Sequence, residues 1–302
     1  MNPSPESRAA SRLETLSVRG LRYAVRHWGP AEAPPLFLLH GWMDSSATFQ
    51  FLVEALTGEW HVIAPDWRGY GASEWLGRPY WFPDYYADLD ALLGHYSPER
   101  PVRLVGHSMG ANIASIYAAA RPQRVTQLAM LDFLGLKATA PQDAPGQLVQ
   151  WLDAQTAPPE LRAYADYAAL ARRLLAVNPR LTAERADFLA RHVSHRLPDG
   201  RVGMACDPWH KVPSPMRYRI DDTLACWQRI VAPTLMLIAD RGFVQERFGD
   251  ASAQGDERAE YARRLACFAD VETRTIVDAG HNVQHDQPEQ VARALESFLR
   301  RD

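Results

Sequence analysis

The fold is indicated most strongly by the stretch Val102-Arg103-Leu104-Val105-Gly106-His107-Ser108-Met109-Gly110. Its apolar beginning indicates a short buried strand, and the small residues that follow from Ala111 to Ala120 indicate a helix. Glycines on both sides of Ser108 leave room for a sharp turn, which would lift the serine hydroxyl out of the sheet. The first N–H groups of the helix would then face any oxyanion formed beside that serine.

Length and composition narrow the class of protein. The chain has 302 residues, of which 47% are hydrophobic and 23% charged, as expected for one large α/β domain or a core domain with an insertion. A net charge of −3 offers no general attraction to nucleic acid or to an anionic membrane, so we expect neither as a partner. We expect a monomer or a homodimer that acts on a small molecule.

The lack of a recognisable targeting signal and the number of cysteines favour a cytoplasmic location. No apolar run approaches the roughly 20 residues that span a bilayer, and the polar N-terminus lacks the apolar core of a secretory signal. The three cysteines are odd in number and widely spaced, which favours a reducing compartment. They are Cys206, Cys226 and Cys267.

Strand-like and helix-like patterns alternate along the chain, which predicts a mostly parallel, doubly wound α/β sheet. Residues 1–15 are predicted to be a flexible tail, and residues 16–135 and 230–302 to form the core. Residues 136–229 lack a convincing strand pair and are predicted to be a helical insertion, with helices over Leu161–Val177 and Thr182–His192. The predicted strands are Leu21–His27, at an early edge, then Pro35–Leu39, His61–Ala64, Val102–Val105, Leu128–Leu131, Thr234–Ile238 and Thr273–Val277.

A serine needs an adjacent base, because its hydroxyl is almost fully protonated at neutral pH. His281 follows the last predicted strand in the loop Asp278-Ala279-Gly280-His281, from which it could reach over the sheet to Ser108. The loop His40-Gly41-Trp42 follows an early strand. A backbone N–H just past Gly41 could supply a second oxyanion donor.

Four motifs occur in order along the chain, namely His40-Gly41-Trp42, Asp66-Trp67-Arg68-Gly69-Tyr70-Gly71-Ala72-Ser73, Gly106-His107-Ser108-Met109-Gly110 and Gly280-His281. Together they resemble the α/β-hydrolase fold family, and the resemblance extends from about Leu21 to Leu299. It implies Ser108 as nucleophile, His281 as general base, and the N–H groups of Trp42 and Met109 as the oxyanion hole. It also implies that the helical insertion is a cap over the active site, and that no cofactor is needed.

The acid of the triad departs from the common family pattern. Many members carry it in a turn after the strand that follows the cap, where this chain has Phe243. Asp132 stands directly at the end of the strand after the elbow helix, and it is the favoured acid. Asp240, three residues before Phe243, is the alternative. Both keep the chain order serine, acid, histidine.

The serine nucleophile predicts acyl transfer, since dehalogenases and epoxide hydrolases of this fold use an aspartate instead. Cleavage of a carboxylic ester of a small or medium, partly apolar substrate is the expected reaction. Thioester, lactone and C–C bond hydrolysis stay open, as does a catalytically silent ligand-binding protein of the same fold. No metal site is predicted, because the histidines of the insertion match no strong ligand pattern. The candidate pocket residues are Trp42, Trp81, Tyr85, Phe133 and Trp209.

Overall fold

The computed structural model of the chain describes residues 9–157, 159–249 and 255–301. Within them, eight strands form one sheet, whose spatial order is β1-β2-β4-β3-β5-β6-β9-β10. Strand β2 runs antiparallel to both neighbours, and the other pairs are parallel. The strands are β1 (Ser11–Val18), β2 (Leu21–Trp28), β3 (Pro35–Leu39), β4 (His61–Pro65), β5 (Val102–His107), β6 (Val125–Leu131), β9 (Thr234–Ala239) and β10 (Val271–Ile276).

Helices cover both faces of the sheet, because successive residues of each central strand point to opposite sides. Phe37 and Leu39 of β3 pack in one core cluster, and Leu36 and Leu38 pack in the other. Helices α2 (Pro83–Tyr96), α3 (Met109–Ala120), α7 (Ile220–Trp227), α8 (Phe243–Phe248) and α9 (Asp256–Leu265) lie on the first side. Helices α1 (Gln50–Ala55), α10 (Val283–Asp286) and α11 (Pro288–Leu299) lie on the second. The predicted mostly parallel α/β sheet is confirmed.

The register of the central strands brings their carboxyl ends to one edge. Leu39 of β3 pairs with Gly106 of β5, and His107 pairs with Leu131 of β6. Leu131 in turn pairs with Leu237 of β9. The residues that follow these strands therefore emerge side by side, at the edge where ligands bind in open α/β sheets.

The N-terminal prediction is partly wrong. Strand β1 begins at Ser11 and pairs with β2 over its whole length, so residues 11–15 are not a tail. The pairing makes β1 the edge strand and moves Leu21–Trp28 inward, against the expectation that this segment is an edge. Polar side chains hid the strand, since only Val18 of its residues is buried. Residues 1–8 of the predicted tail lie outside the described residues.

The insertion between β6 and β9 is mostly helical, as predicted, but it also contains a strand pair. Strands β7 (Ser194–Arg196) and β8 (Val202–Met204) form a short antiparallel hairpin. Two three-residue strands give too short an alternation to be read from the sequence. Helix α7 packs against α3, with the Trp227 indole donating to Ser115 Oγ at 3.0 Å, so this end of the predicted cap belongs to the core. The insertion's other helices are α4 (Ala144–Thr156), α5 (Tyr167–Val177) and α6 (Ala183–His192).

Two further observations concern membranes and thiols. In the part of the chain that the structure describes, every helix is too short or too polar to cross a bilayer. The three cysteines are free thiols, and Cys206 and Cys267 are buried.

Candidate active site

Ser108 lies in the sharp turn between β5 and α3. Its backbone φ is +51° and its ψ is −112°, a conformation that residues with side chains rarely adopt. A Cβ at Gly106 would lie 2.5 Å from the carbonyl carbon of Gly110. A Cβ at Gly110 would lie 2.0 Å from the carbonyl oxygen of Leu39. Neither position has room for a side chain, so the strained turn depends on both glycines.

Side chains that follow the ends of β5, β6 and β10 meet at this turn. His281 Nε2 lies 2.9 Å from Ser108 Oγ, and His281 Nδ1 lies 2.7 Å from Asp132 Oδ2. An imidazole that donates its Nδ1 proton to a carboxylate keeps Nε2 free to accept a proton. The three residues therefore form a hydroxyl–imidazole–carboxylate chain, which is the arrangement that activates a serine.

The Asp132 carboxylate is fully buried and is held by backbone N–H groups. Oδ2 also accepts from the N–H of Phe243 at 2.7 Å, and Oδ1 accepts from the N–H of Ala239 at 3.2 Å. A Cβ at Gly242 would come within 2.4 Å of the same Oδ2, so glycine there leaves space for the carboxylate. Phe243, where the family resemblance leads one to expect the acid, thus supports Asp132 through its main chain.

Asp240, the alternative acid, has a different set of contacts. Its Oδ2 accepts from the N–H of Asp278 at 3.0 Å, and its Oδ1 accepts from the N–H of Ala279 at 2.9 Å. Partial burial acts to raise the pKa of Asp240, but these N–H groups, with nearby arginines, lower it below its usual value. Asp240 therefore fixes the loop that carries His281, whereas Asp132 contacts the imidazole itself.

Two buried histidines brace the loops around Ser108. His40 Nε2 accepts from the N–H of Trp67 at 2.9 Å, and its Nδ1 lies 2.8 Å from the carbonyl oxygen of Gly41. Burial lowers the pKa of His40 to about 4. His107 Nε2 lies 2.9 Å from the carbonyl oxygen of His281, and burial, reinforced by the His281 side chain, lowers the pKa of His107 well below its usual value. Both rings are therefore neutral at pH 7 and position backbone.

The backbone at the two predicted oxyanion donors lies beside Ser108. Met109 opens α3, so its N–H has no acceptor within the helix. Trp42 shares a peptide bond with Gly41, and a Cβ at Gly41 would lie 3.3 Å from Ser108 Cβ. The role of the two N–H groups stays a prediction.

A cavity of about 430 Å³ opens beside the elbow, between the sheet edge and the insertion. Four of the five predicted pocket residues line it, namely Trp42, Trp81, Tyr85 and Trp209. Phe133 does not; it is buried in the core, with its ring 6.5 Å from that of Phe243 and inclined by only 7°. Phe133 directly follows Asp132, whose φ of +46° turns the chain at the strand end, so its side chain enters the core.

Several lining residues were missed by the sequence analysis. The place of Asn112 in the wall could have been predicted, because it stands one helical turn after Ser108 and so lies on the same face of α3. No sequence pattern predicts the places of Met216, Arg217 and Tyr218, since they belong to an irregular loop before α7.

Asp44 is a second buried carboxyl near His281 that the sequence analysis also missed. Its Oδ1 accepts from the N–H of Ser45 at 2.9 Å, while its Oδ2 has no hydrogen-bond partner among the residues described. Burial raises the pKa of Asp44 to about 7.

Comparison with known proteins agrees with the fold. A family model described as alpha/beta hydrolase fold matches residues 34–288. A serine hydrolase-like protein of Danio rerio is 28% identical over 283 residues, which cover 90% of this chain and 83% of the relative.

Solved structures match nearly the whole chain. A hypothetical protein from Pseudomonas aeruginosa PAO1 has a TM-score of 0.82 at 25% identity, and the match covers 96% of this chain and 99% of that one. The thioesterase domain from the curacin biosynthetic pathway also has a TM-score of 0.82, at 22% identity, over 95% of this chain and 99% of that one. At that identity the second likeness concerns the fold alone.

Proposed function

The chain is a hydrolase of the α/β-hydrolase fold family, and we propose that it cleaves carboxylic esters through an acyl-enzyme on Ser108. One observation carries the proposal: the unbroken chain of contacts from Ser108 Oγ through His281 to Asp132, at 2.9 and 2.7 Å. The strained elbow strengthens it, because strained backbone concentrates at functional sites.

The contacts support the following reaction sequence. His281 Nε2 accepts the Ser108 proton as Oγ attacks the ester carbonyl carbon, and the oxyanion accepts hydrogen bonds from the N–H groups of Trp42 and Met109. His281 then gives its proton to the departing alkoxide, leaving an acyl group on Oγ. A water that loses its proton to His281 attacks this acyl group. The second tetrahedral intermediate releases the acid and returns the proton to Ser108. Asp132 stabilises the imidazolium in both halves.

The cavity supports an ester with an apolar part of small or medium size. Its wall is mostly aromatic and aliphatic, and its volume of about 430 Å³ falls in the range of small-molecule sites. A ligand-binding protein without turnover would have no need for the complete contact chain, so we favour the enzyme.

Turnover of p-nitrophenyl butyrate, with and without a fluorophosphonate probe, tests the proposal. We expect the wild-type protein to hydrolyse the ester and to be labelled on Ser108. Ser108→Ala should lower kcat by about 10⁴-fold or more and abolish labelling. Ser297→Ala, at an exposed position on α11, is the control and should behave as wild type.

Two outcomes would exclude the ester hydrolase: no turnover of any p-nitrophenyl ester by folded wild type, or undiminished turnover by Ser108→Ala. A parallel assay with the matching butyryl thioester separates the ester from the thioester preference by the ratio of kcat/KM values.

A further inference from the structure

The residues that line the cavity in the described part of the chain include a basic side chain but no acidic one to balance its charge. Among the described residues, its wall contains one arginine, Arg217, and no aspartate or glutamate. The other polar members are tyrosines, hydroxyls, one amide and one histidine.

One histidine and three tyrosines of this wall are neutral near pH 7. Burial lowers the pKa of His210, which lies between the rings of Tyr70 and Tyr80, to about 3. Burial also raises the pKa of Tyr80, Tyr85 and Tyr86 above its usual value. The wall therefore carries a net positive charge from a single guanidinium.

Arg217 differs from the other arginines that the fold buries. Arg68 pairs with Asp84 and Asp88, and Arg264 pairs with Glu260. Half-buried Arg217 donates from Nη1 to the carbonyl oxygen of Thr139 at 3.1 Å, and it has no carboxylate partner in the part of the chain that the structure describes. A guanidinium has five N–H donors, which match a carboxylate in a planar fork. One neutral acceptor leaves most of this capacity unused.

The same cavity reaches the elbow. Met109, which follows the nucleophile, and Asn112, one turn later on α3, are in its wall together with Arg217. An ester group at Ser108 and an anion at Arg217 would thus be joined through a space lined mostly by aromatic rings. A substrate that satisfies both ends has a reactive ester, an apolar segment and a carboxylate.

We propose that the cavity selects esters whose apolar segment ends in a carboxylate, with Arg217 as the residue that binds this carboxylate. The inference rests on the proposed ester hydrolase activity. Arg217 sets specificity and takes no part in the bond-breaking steps, so its effect is expected mainly on KM.

Matched ester pairs test the proposal. On the acyl side, p-nitrophenyl hydrogen adipate, pimelate and suberate are compared with the neutral p-nitrophenyl esters of equal chain length. On the leaving-group side, hexanoate esters of carboxyphenols are compared with phenyl hexanoate. We expect wild type to prefer the acid-bearing member of at least one pair by about ten- to hundredfold in kcat/KM, as one charge-assisted hydrogen bond would give.

Three variants sharpen the test. Arg217→Gln should lower the ratio of kcat/KM for the acid-bearing ester to kcat/KM for its neutral partner to about one. Labelling of Ser108 by the fluorophosphonate probe in this variant shows that the fold and the nucleophile are intact. Arg217→Lys should restore part of the preference, since the charge remains but the fork is lost. Arg219→Gln, whose exposed side chain pairs with Asp222 at 3.5 Å, is the control and should keep the preference.

The two proposals fail in distinguishable ways. If neutral esters are hydrolysed and Ser108 is labelled, but no acid-bearing ester is preferred or Arg217→Gln keeps the preference, the inference about Arg217 is wrong and the ester hydrolase stands. If no ester is hydrolysed and Ser108 is not labelled, the proposed function itself fails.

Discussion

The sheet edge and the insertion face the same cavity but are built in different ways. At the sheet edge, the backbone fixes the positions. A Cβ added at Gly106 or Gly110 would lie 2.5 Å or less from a backbone atom, and main-chain N–H groups hold Asp132. The insertion contributes side chains from a loop and a short turn, and one of them, Met216, is 62% exposed. The reactive geometry therefore tolerates almost no substitution, whereas residues of the binding surface can change without loss of the fold.

Among variants that keep Ser108, the largest effect is expected for Asp132→Asn at the sheet edge. The amide carries no charge that could stabilise the imidazolium, and its NH₂ group donates where the carboxylate accepts, so kcat should fall by about 10³- to 10⁴-fold. Ester turnover by purified variant and wild type measures this. A near-wild-type kcat would contradict the assignment of Asp132 as the triad acid.

Gly110→Ala tests the steric limit of the same edge. The new Cβ would overlap the carbonyl oxygen of Leu39, and we expect a loss of about 3 kcal/mol or more in the free energy of unfolding. Gly94→Ala in α2, where no atom lies within 4 Å of a would-be Cβ, is the control and should be neutral or stabilising. Urea unfolding compares the two variants, and equal stability would show that the elbow is less rigid than the geometry indicates.

Asp44→Asn tests the buried carboxyl near His281 by pH. Because the pKa of Asp44 is raised from 3.8 to about 7 in the folded protein, folding favours its protonated form. The stability that this form contributes is present below pH 4 and is lost as the pH rises to about 7. Relative to Asp44→Asn, wild type should therefore lose up to about 1.4 kcal/mol per pH unit over this window. Parallel urea unfolding curves at pH 5, 6 and 8 with no divergence would contradict the shift.

Asp240→Asn should have a smaller effect on activity. One of its two carboxylate oxygens, each of which accepts from a backbone N–H, is replaced by an NH₂ donor. The change displaces the loop of His281 without removing a partner of the imidazole. We expect kcat to fall by about tenfold, the size of one lost hydrogen bond. Asp278→Asn, in the same loop but with a side chain that is 68% exposed, is the control. A loss in Asp240→Asn as large as that in Asp132→Asn would overturn the distinction between the two acids.

Trp209→Ala probes the insertion and is expected to have the smallest effect. Removal of part of the apolar wall should raise KM for p-nitrophenyl hexanoate by about fivefold, with little change in kcat. Trp75→Ala, whose ring contacts His195 and does not line the cavity, is the matched control. A fall in kcat alone would mean that Trp209 supports the sheet edge and not the binding surface.

The sequence determined the sheet edge because its parts are local. A strand, two glycines, a serine and a helix are contiguous, and apolar runs place Asp132 and His281 directly after strands. Parallel strand ends share one edge, so adjacency in space follows from the pattern. The choice between Asp132 and Asp240 could be ranked from the sequence, but only the contacts with His281 distinguish an acid that holds the imidazole from one that holds its loop.

Only the three-dimensional packing revealed the part of the cavity wall that lies in the loop before α7, the core position of Phe133 and the pairing of residues 11–15. Met216 and Arg217 belong to an irregular loop without periodicity, and Phe133 turns into the core because of a backbone angle that no residue pattern encodes. Strand β1 is polar enough to read as a tail until its pairing with β2 is seen. Chemistry at the strand ends follows from short-range steric rules, whereas the binding surface depends on which distant side chains the fold packs together.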